Sequence, residues 1–202
     1  MPKKPVNTEE RILKAAERVF VMHGYDGTTM QMIADEAGIN KALLHYYFRS
    51  KDRLFELVFE LTFSKNLSPL FGLMISDKPL LETLEVFVGT YIENIMRHPF
   101  LPLFIMHELQ RNPDRLITMI SGSGIDMKIL VNKIEIEQEA GNIKEIDPKQ
   151  LMVNLIALCV FPFVARPLLQ GMVFGNDKDS YDLFLEERKT EVVRFILDAI
   201  KT

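Results

Sequence analysis

Cysteine is nearly absent. Cys159 is the only one in 202 residues, which excludes an internal disulfide and a thiolate metal cluster and makes a reducing compartment the expected setting. It lies in the apolar run Leu155-Ile156-Ala157-Leu158-Cys159-Val160, where a thiol reads as a small buried hydrophobe rather than a nucleophile. No apolar run reaches the roughly eighteen residues of a membrane-spanning helix. No charged start leads into an apolar stretch and a small-residue cleavage site, so a cytoplasmic, non-secreted, non-membrane protein is expected. Catalytic signatures are also missing. His23, His45, His98 and His107 are scattered, without the carboxylate spacing of a di-metal site and without HExxH. His107 and Glu108 are neighbours, so they diverge on a helix. There is no phosphate-binding glycine motif and no GxSxG elbow, and the Gly122-Ser123-Gly124 stretch is only a helix break. No metal, no cofactor and no enzymatic activity are expected; an all-helical enzyme would have to depend on His107 or Glu108.

Charge of one sign is lacking too. The net charge is −4, which argues against a chain that coats nucleic acid along its whole length. The distribution is uneven. Residues 1–65 hold ten Lys and Arg against nine Asp and Glu, a net of +1, and residues 66–202 hold fourteen against nineteen, a net of −5. Any binding to DNA must therefore come from a few placed cations rather than from bulk charge.

What the chain does have is helical periodicity. It is 48% hydrophobic and 26% charged, as in ordinary globular proteins, and disorder is expected only in MPKKPV at the start. Strand alternation, repeats and low-complexity tracts are missing, so the fold class is all-α. Ile12, Ala16, Val19, Phe20 and His23 recur at helical spacing behind an Asn7 cap, and Gly24 ends this helix. A second helix runs from about Thr29 to Ala37, a third from about Lys41 to Tyr47, and Ser50 caps a fourth. Breaks follow at Ser68-Pro69 and at Ser76-Asp77-Lys78-Pro79. Longer helices then span Leu80–Arg97, Phe100–Arg111, Pro113–Gly141 with an interruption at 121–124, Pro148–Gln170 and Ser180–Lys201. Pro99, Pro113 and Pro148 stand at helix starts, where proline is tolerated. Pro162 and Pro167 should kink or break the pattern they interrupt. The division is into residues 7–66, with a helix-turn-helix at about 29–48, and residues 67–202.

Residues 24–51, GYDGTTMQMIADEAGINKALLHYYFRSK, are the most informative stretch. Two short helices meet at Gly38-Ile39-Asn40. Ile33, Ala37, Ile39, Leu44 and Phe48 can form the small core that fixes their crossing, which leaves Lys41, Ala42, His45 and Tyr46 on the other side. Cations, imidazole and phenol suit phosphate oxygens and base edges; Ala42 and Leu43 suit a thymine methyl. Asn40 can cap the third helix or touch phosphate, and Thr28 and Thr29 stand at a helix start whose free N–H groups favour phosphate. Gln31 has two readings: closing a capping box with Thr28, or contacting a base. The bland alternative is a solvated three-helix surface.

The ordered pattern Phe20-x-x-x-Gly24-Tyr25, Thr28-Thr29, Ile33-Ala34, Ala37-Gly38-Ile39 and Lys41-x-x-Leu44-x-Tyr46-Tyr47-Phe48-x-Ser50-Lys51 resembles the N-terminal DNA-binding domain of TetR-family transcriptional regulators. The resemblance covers about the first 60 residues; beyond them the chain is similar only in length and helical character. It implies DNA contacts at Lys41, Ala42, His45 and Tyr46, and backbone anchoring by Tyr47 and Lys51. It implies a homodimer on a palindromic double-stranded operator, a larger C-terminal helical domain for dimerisation and ligand binding, and release, most simply of a repressor, by a small apolar effector. For the dimer, one stripe holds Phe184, Arg188, Val192, Phe195 and Ile196, and another holds Leu155 and Cys159; an intramolecular core is the competing reading. For the effector, Phe100, Leu103, Phe104, His107, Met119 and Met127 mix aromatic and adaptable methionine side chains, against the plainer reading of core. The alternative function is a small-molecule- or protein-binding module on the same fold without operator binding.

Overall fold

The computed structural model describes residues 7–122 and 126–202. The expected disorder of MPKKPV, and Ser123 and Gly124 of the expected helix break, lie outside the described residues. Among the described residues there are twelve helices and no strand, which bears out the all-α class. They form two compact units: residues 7–67 with 103–119, and residues 68–102 with 120–122 and 126–202. The first division falls beside the expected boundary. The return of residues 103–119 to the first unit does not follow from a single boundary at 66/67.

The first unit is built on α1 (Thr8–Gly27), α2 (Met30–Ala37), α3 (Lys41–Tyr47) and α4 (Lys51–Asn66). Its helix starts are capped as their residue types dictate. Asn7 accepts from Glu9 N, Thr29 from Met32 N, Asn40 from Leu43 N and Ser50 from Arg53 N, each giving a partner to an otherwise orphaned N–H. Ile12, Ala16, Phe20, Ile33, Ala34, Leu44, Leu54 and Phe59 are fully buried between these helices. Gly24 bends α1 rather than ending it. Its φ of 66° and ψ of 179° are not helical, yet one further turn follows and closes with Thr28 N donating to Tyr25 O. Residues 103–119, on α7 (Leu101–Arg111) and α8 (Pro113–Gly122), complete this unit by inserting Phe104 against Phe55 and Phe59, with ring centroids 5.7 and 5.3 Å away.

The second unit contains α5 (Ser68–Met74), α6 (Leu80–Arg97), α9 (Met127–Glu139), α10 (Pro148–Val164), α11 (Arg166–Met172) and α12 (Lys178–Ile200). Ser68-Pro69 starts a helix instead of marking a break; a proline in the first turn lacks only an N–H that would have no helical partner. α6 packs against α10 and α12 through a core that includes Phe87, Ile92, Leu155, Cys159, Tyr181, Val192 and Ile196. Pro162 lies inside α10, and the chain bends by 69° between α10 and α11. Two side chains of α12 repair the damage. Leu158 O would normally accept from the N–H that Pro162 lacks; it accepts instead from Arg188 Nη2 at 2.7 Å. Pro162 O accepts from the Tyr181 hydroxyl at 2.7 Å. No single helix among the described residues is long and apolar enough to cross a membrane.

Candidate nucleic-acid interface

The turn between α2 and α3 follows from two residues. Gly38 takes the left-handed conformation, with φ 63° and ψ 39°, which costs glycine no steric penalty. Ile39 N then donates back to Ala34 O at 3.0 Å, and Asn40 Oδ1 accepts from Leu43 N at 2.7 Å to start α3. From α1, Arg11 donates to Ala37 O at 2.8 Å and so ties down the end of α2.

α3 is seven residues long and only Leu44 among them is buried. With Phe48 just beyond, it pins the helix to the core. Lys41, Ala42, His45, Tyr46 and Tyr47 are all exposed. Tyr46 is 80% exposed and stands edge-on to Tyr47, with centroids 5.5 Å apart. A phenol so far out of the core makes no packing contribution that would account for it. The structure thus brings Asn40, Lys41, Ala42, His45, Tyr46 and Tyr47 together on one helix.

Of three other expected residues, Thr28 and Lys51 point elsewhere. Thr28 is 1% exposed, and its hydroxyl faces Gly24 O at 2.6 Å and Val19 O at 3.3 Å. Its side chain therefore neither reaches outward nor closes a capping box, and Thr29 is the cap of α2. Gln31 is exposed and donates to Asp35 at 2.7 Å, which leaves the base-contact reading without its capping competitor. Lys51 Nζ donates to Tyr25 O at 2.9 Å and to Thr28 O at 3.0 Å, so two of its three N–H groups hold the bend of α1, and the ammonium stands 4.1 Å from the centroid of the Tyr25 ring.

The same unit contains a cluster that sequence reasoning missed. Glu108 is 1% exposed. It lies 3.5 Å from Arg111 and 3.1 Å from Arg115, the second contact being an ion pair by distance that is not aligned as a hydrogen bond. Arg115 also reaches Glu56 and Arg111 reaches Asp52, at 3.1 and 3.4 Å. Burial pushes the Glu108 carboxyl above its ordinary range, against the pull of both arginines. Burial and the bond to Asp52 raise the Tyr25 phenol, and that same bond holds Asp52 low. Phe104, Glu108 and Arg111, spaced four and three, share one face of α7, and Arg115 joins them from the first turn of α8. An open cleft of about 390 Å³ lies beside the cluster, lined among others by His23, Tyr25, Phe104, His107 and Arg111.

The expected effector residues fall in both units. Leu103, Phe104, His107 and Met119 fall in the first unit, and Phe100 and Met127 in the second. Phe104 is core, His107 lines the cleft, Met119 and Met127 are half-buried, and Leu103 and Phe100 are exposed. The expected dimer residues divide as well. Leu155, Cys159, Val192 and Ile196 are buried within the protomer, because α10 and α12 turn those positions toward α6; burial pushes the Cys159 thiol up to about 12. Phe184 and Arg188 are half-buried and Phe195 is 66% exposed. These three line an apolar groove of about 680 Å³ with Phe161, Leu158 and Pro162. Of the apolar residues exposed on these helices, Phe161 and Phe195 stand in that groove.

Residues 12–58 match the family of bacterial regulatory proteins, tetR family. The chain is 25% identical over 197 residues to the HTH-type transcriptional regulator RutR of Escherichia coli (strain K12), covering 96% of this chain and 90% of that one. It is 27% identical over 200 residues to the HTH-type transcriptional repressor NicS of Pseudomonas putida, covering 95% and 89%. The solved structure of a TetR transcription regulator from Haloarcula marismortui matches with a TM-score of 0.66 at 18% identity, over 96% of this chain and 98% of that one, a likeness of fold.

Proposed function

We propose, from the premise that this chain belongs to the TetR family of bacterial regulatory proteins, that it is a cytoplasmic, homodimeric repressor that binds a palindromic operator and is released by a small apolar effector. The observation that carries the reading is α3, whose exposed Lys41, His45, Tyr46 and Tyr47 stand around a single buried anchor, Leu44. Lys41 can meet phosphate or guanine acceptors, while His45 and the tyrosine hydroxyls can bond phosphate or base edges. Gln31 adds a contact from α2, and the amides at the start of α2 add phosphate contacts.

One seven-residue helix reads too few bases for selectivity. A two-fold dimer places a second copy about 34 Å away, one turn along the duplex. The apolar groove of α10 and α12, with Phe161, Phe184 and Phe195, is the surface we assign to that dimer. The effector must bind better to a form whose reading helices miss the operator spacing, and a useful switch needs about 1–3 kcal/mol of such preference.

Footprinting on the chain's own upstream region tests the reading. Protection of a short palindrome, lost on Lys41→Ala with Tyr46→Ala, is the expected result. If ligand-stripped protein protected no genomic fragment, the binding module without operator recognition would replace it.

A further inference from the structure

The family match ends at residue 58, yet the unit that carries the reading helix includes residues 103–119. We propose that Arg111, outside the helix-turn-helix, is a positioning residue for DNA reading: it fixes the bend of α1 from which α2 starts. The inference rests on the operator-binding function above.

The bend needs holding. Gly24 leaves the helical region, so the turn over residues 25–27 does not continue the direction of the helix before it. A side chain at residue 24 would be strained, and its Cβ would stand 3.2 Å from His107 Nδ1. Lys51 grips the bend through two carbonyls. What remains is the Tyr25 side chain, which leads from the bend into the core. Its ring stands edge-on to Phe55 at 5.1 Å, and its hydroxyl donates to Asp52.

Arg111 closes this arrangement. Its Cζ lies 3.5 Å from the Tyr25 ring centroid, the separation of a guanidinium stacked on an aromatic face. It also pairs with Asp52 at 3.4 Å, the carboxylate that takes the Tyr25 hydroxyl, so Tyr25, Asp52 and Arg111 form a triangle. Behind it, Glu108 holds the guanidinium from within α7 at 3.5 Å, its side chain 0% exposed, and is itself braced by Arg115. A cation held by a buried carboxylate and two further partners is not an ordinary mobile surface arginine. Nor is it on α3, where a contact to DNA would be expected. Its effect on the operator must pass through Tyr25, the bend and the start of α2.

The test uses the full chain and its operator, titrated over a salt series, with amide hydrogen exchange of residues 24–32 measured without DNA. Arg111→Ala should weaken operator binding about tenfold, the effect of a lost desolvated cation–aromatic contact, and leave the salt slope unchanged. Lys41→Ala, which removes a phosphate contact, should lower that slope by about one. Exchange at the start of α2 should be faster in Arg111→Ala. Arg111→Lys should recover only part of the loss, because an ammonium pairs with Asp52 but cannot stack as a plane. Tyr25→Leu should reproduce the loss, and the double variant should add nothing further; this pair decides the matter if Arg111→Ala alone folds poorly. Unchanged affinity and exchange would overturn the proposal, and so would a slope lowered by one, which would make Arg111 a phosphate contact. If the unsubstituted chain bound no operator, the function above would fail first. Faster exchange in Arg111→Ala would then leave only a role in the bend.

Discussion

α3 and the α10–α12 pair expose opposite chemistries. The short helix presents Lys41, His45, Tyr46 and Tyr47. The long ones present Val153, Phe161, Leu183 and Phe195, each more than half exposed. Single exposed apolar residues such as Val153 and Leu183 are ordinary, but exposed Phe161 and Phe195 together line an apolar groove. Polar aromatic and cationic groups can stay hydrated and exchange water for phosphate and base-edge hydrogen bonds. Phenylalanine rings gain only by leaving water. The two surfaces therefore differ in what they would gain from a partner: hydrogen bonds at α3, desolvation at the groove of α10 and α12.

The sharpest way to break that contrast is inside α3. Leu44→Ala, at a fully buried site, should cost about 2–5 kcal/mol of stability. Tyr46→Ala should stay within about 0.5 kcal/mol while weakening operator binding. Equal shifts in the urea midpoint would mean that Tyr46 is a packing residue after all. On the apolar side, Phe195→Glu should weaken self-association by about 2 kcal/mol, roughly thirtyfold, and leave the protomer folded. Sedimentation showing the same mass for variant and parent at every concentration would remove α12 from the interface. Tyr181→Phe leaves Pro162 O without its donor and should cost about 1–2 kcal/mol, read from thermal unfolding; an unchanged melting temperature would show that water replaces the hydroxyl.

The smallest effect concerns pH. The Tyr25 hydrogen bond, aided by Arg111 and Lys51, holds the Asp52 carboxyl below its ordinary value. A depressed folded value contributes stability that is present above the ordinary carboxylate range and is lost as pH falls through the folded value. Asp52→Asn should therefore lower stability at neutral pH and converge with the parent in acid. Glu108 has the opposite sign: burial raises it, so stability falls as pH rises from its ordinary value through the folded one. Denaturation curves from acid to neutral pH separate the two, and parallel curves for Asp52→Asn and the parent would rule out the Asp52 contribution.

α3 and its turn were legible because their determinants are local. Gly38 at a left-handed turn, Asn40 and Ser50 as caps, and Leu44 and Phe48 four residues apart act over a few residues. The inward faces of α10 and α12 were harder. α10 is apolar nearly all round, so periodicity cannot say that Leu155 and Cys159 turn inward while Val153 and Phe161 turn out. The reassignment of residues 103–119 was not legible at all, because it depends on contacts such as Asp52 with Arg111 across 59 positions. Thr28 and Lys51 stand in the expected pattern, but their direction is set by the bend at Gly24, and that geometry has no signature in spacing.

The proline in α10 has a consequence beyond the bend. By withholding its N–H it draws the Arg188 guanidinium onto Leu158 O, in the wall of the groove that both residues line. Replacing Pro162 with alanine would hand that carbonyl back to the backbone and set the guanidinium loose. The positive charge already in the groove would become mobile without any change to a charged residue. The proline, which has no charge of its own, thus fixes where the positive charge of the groove sits.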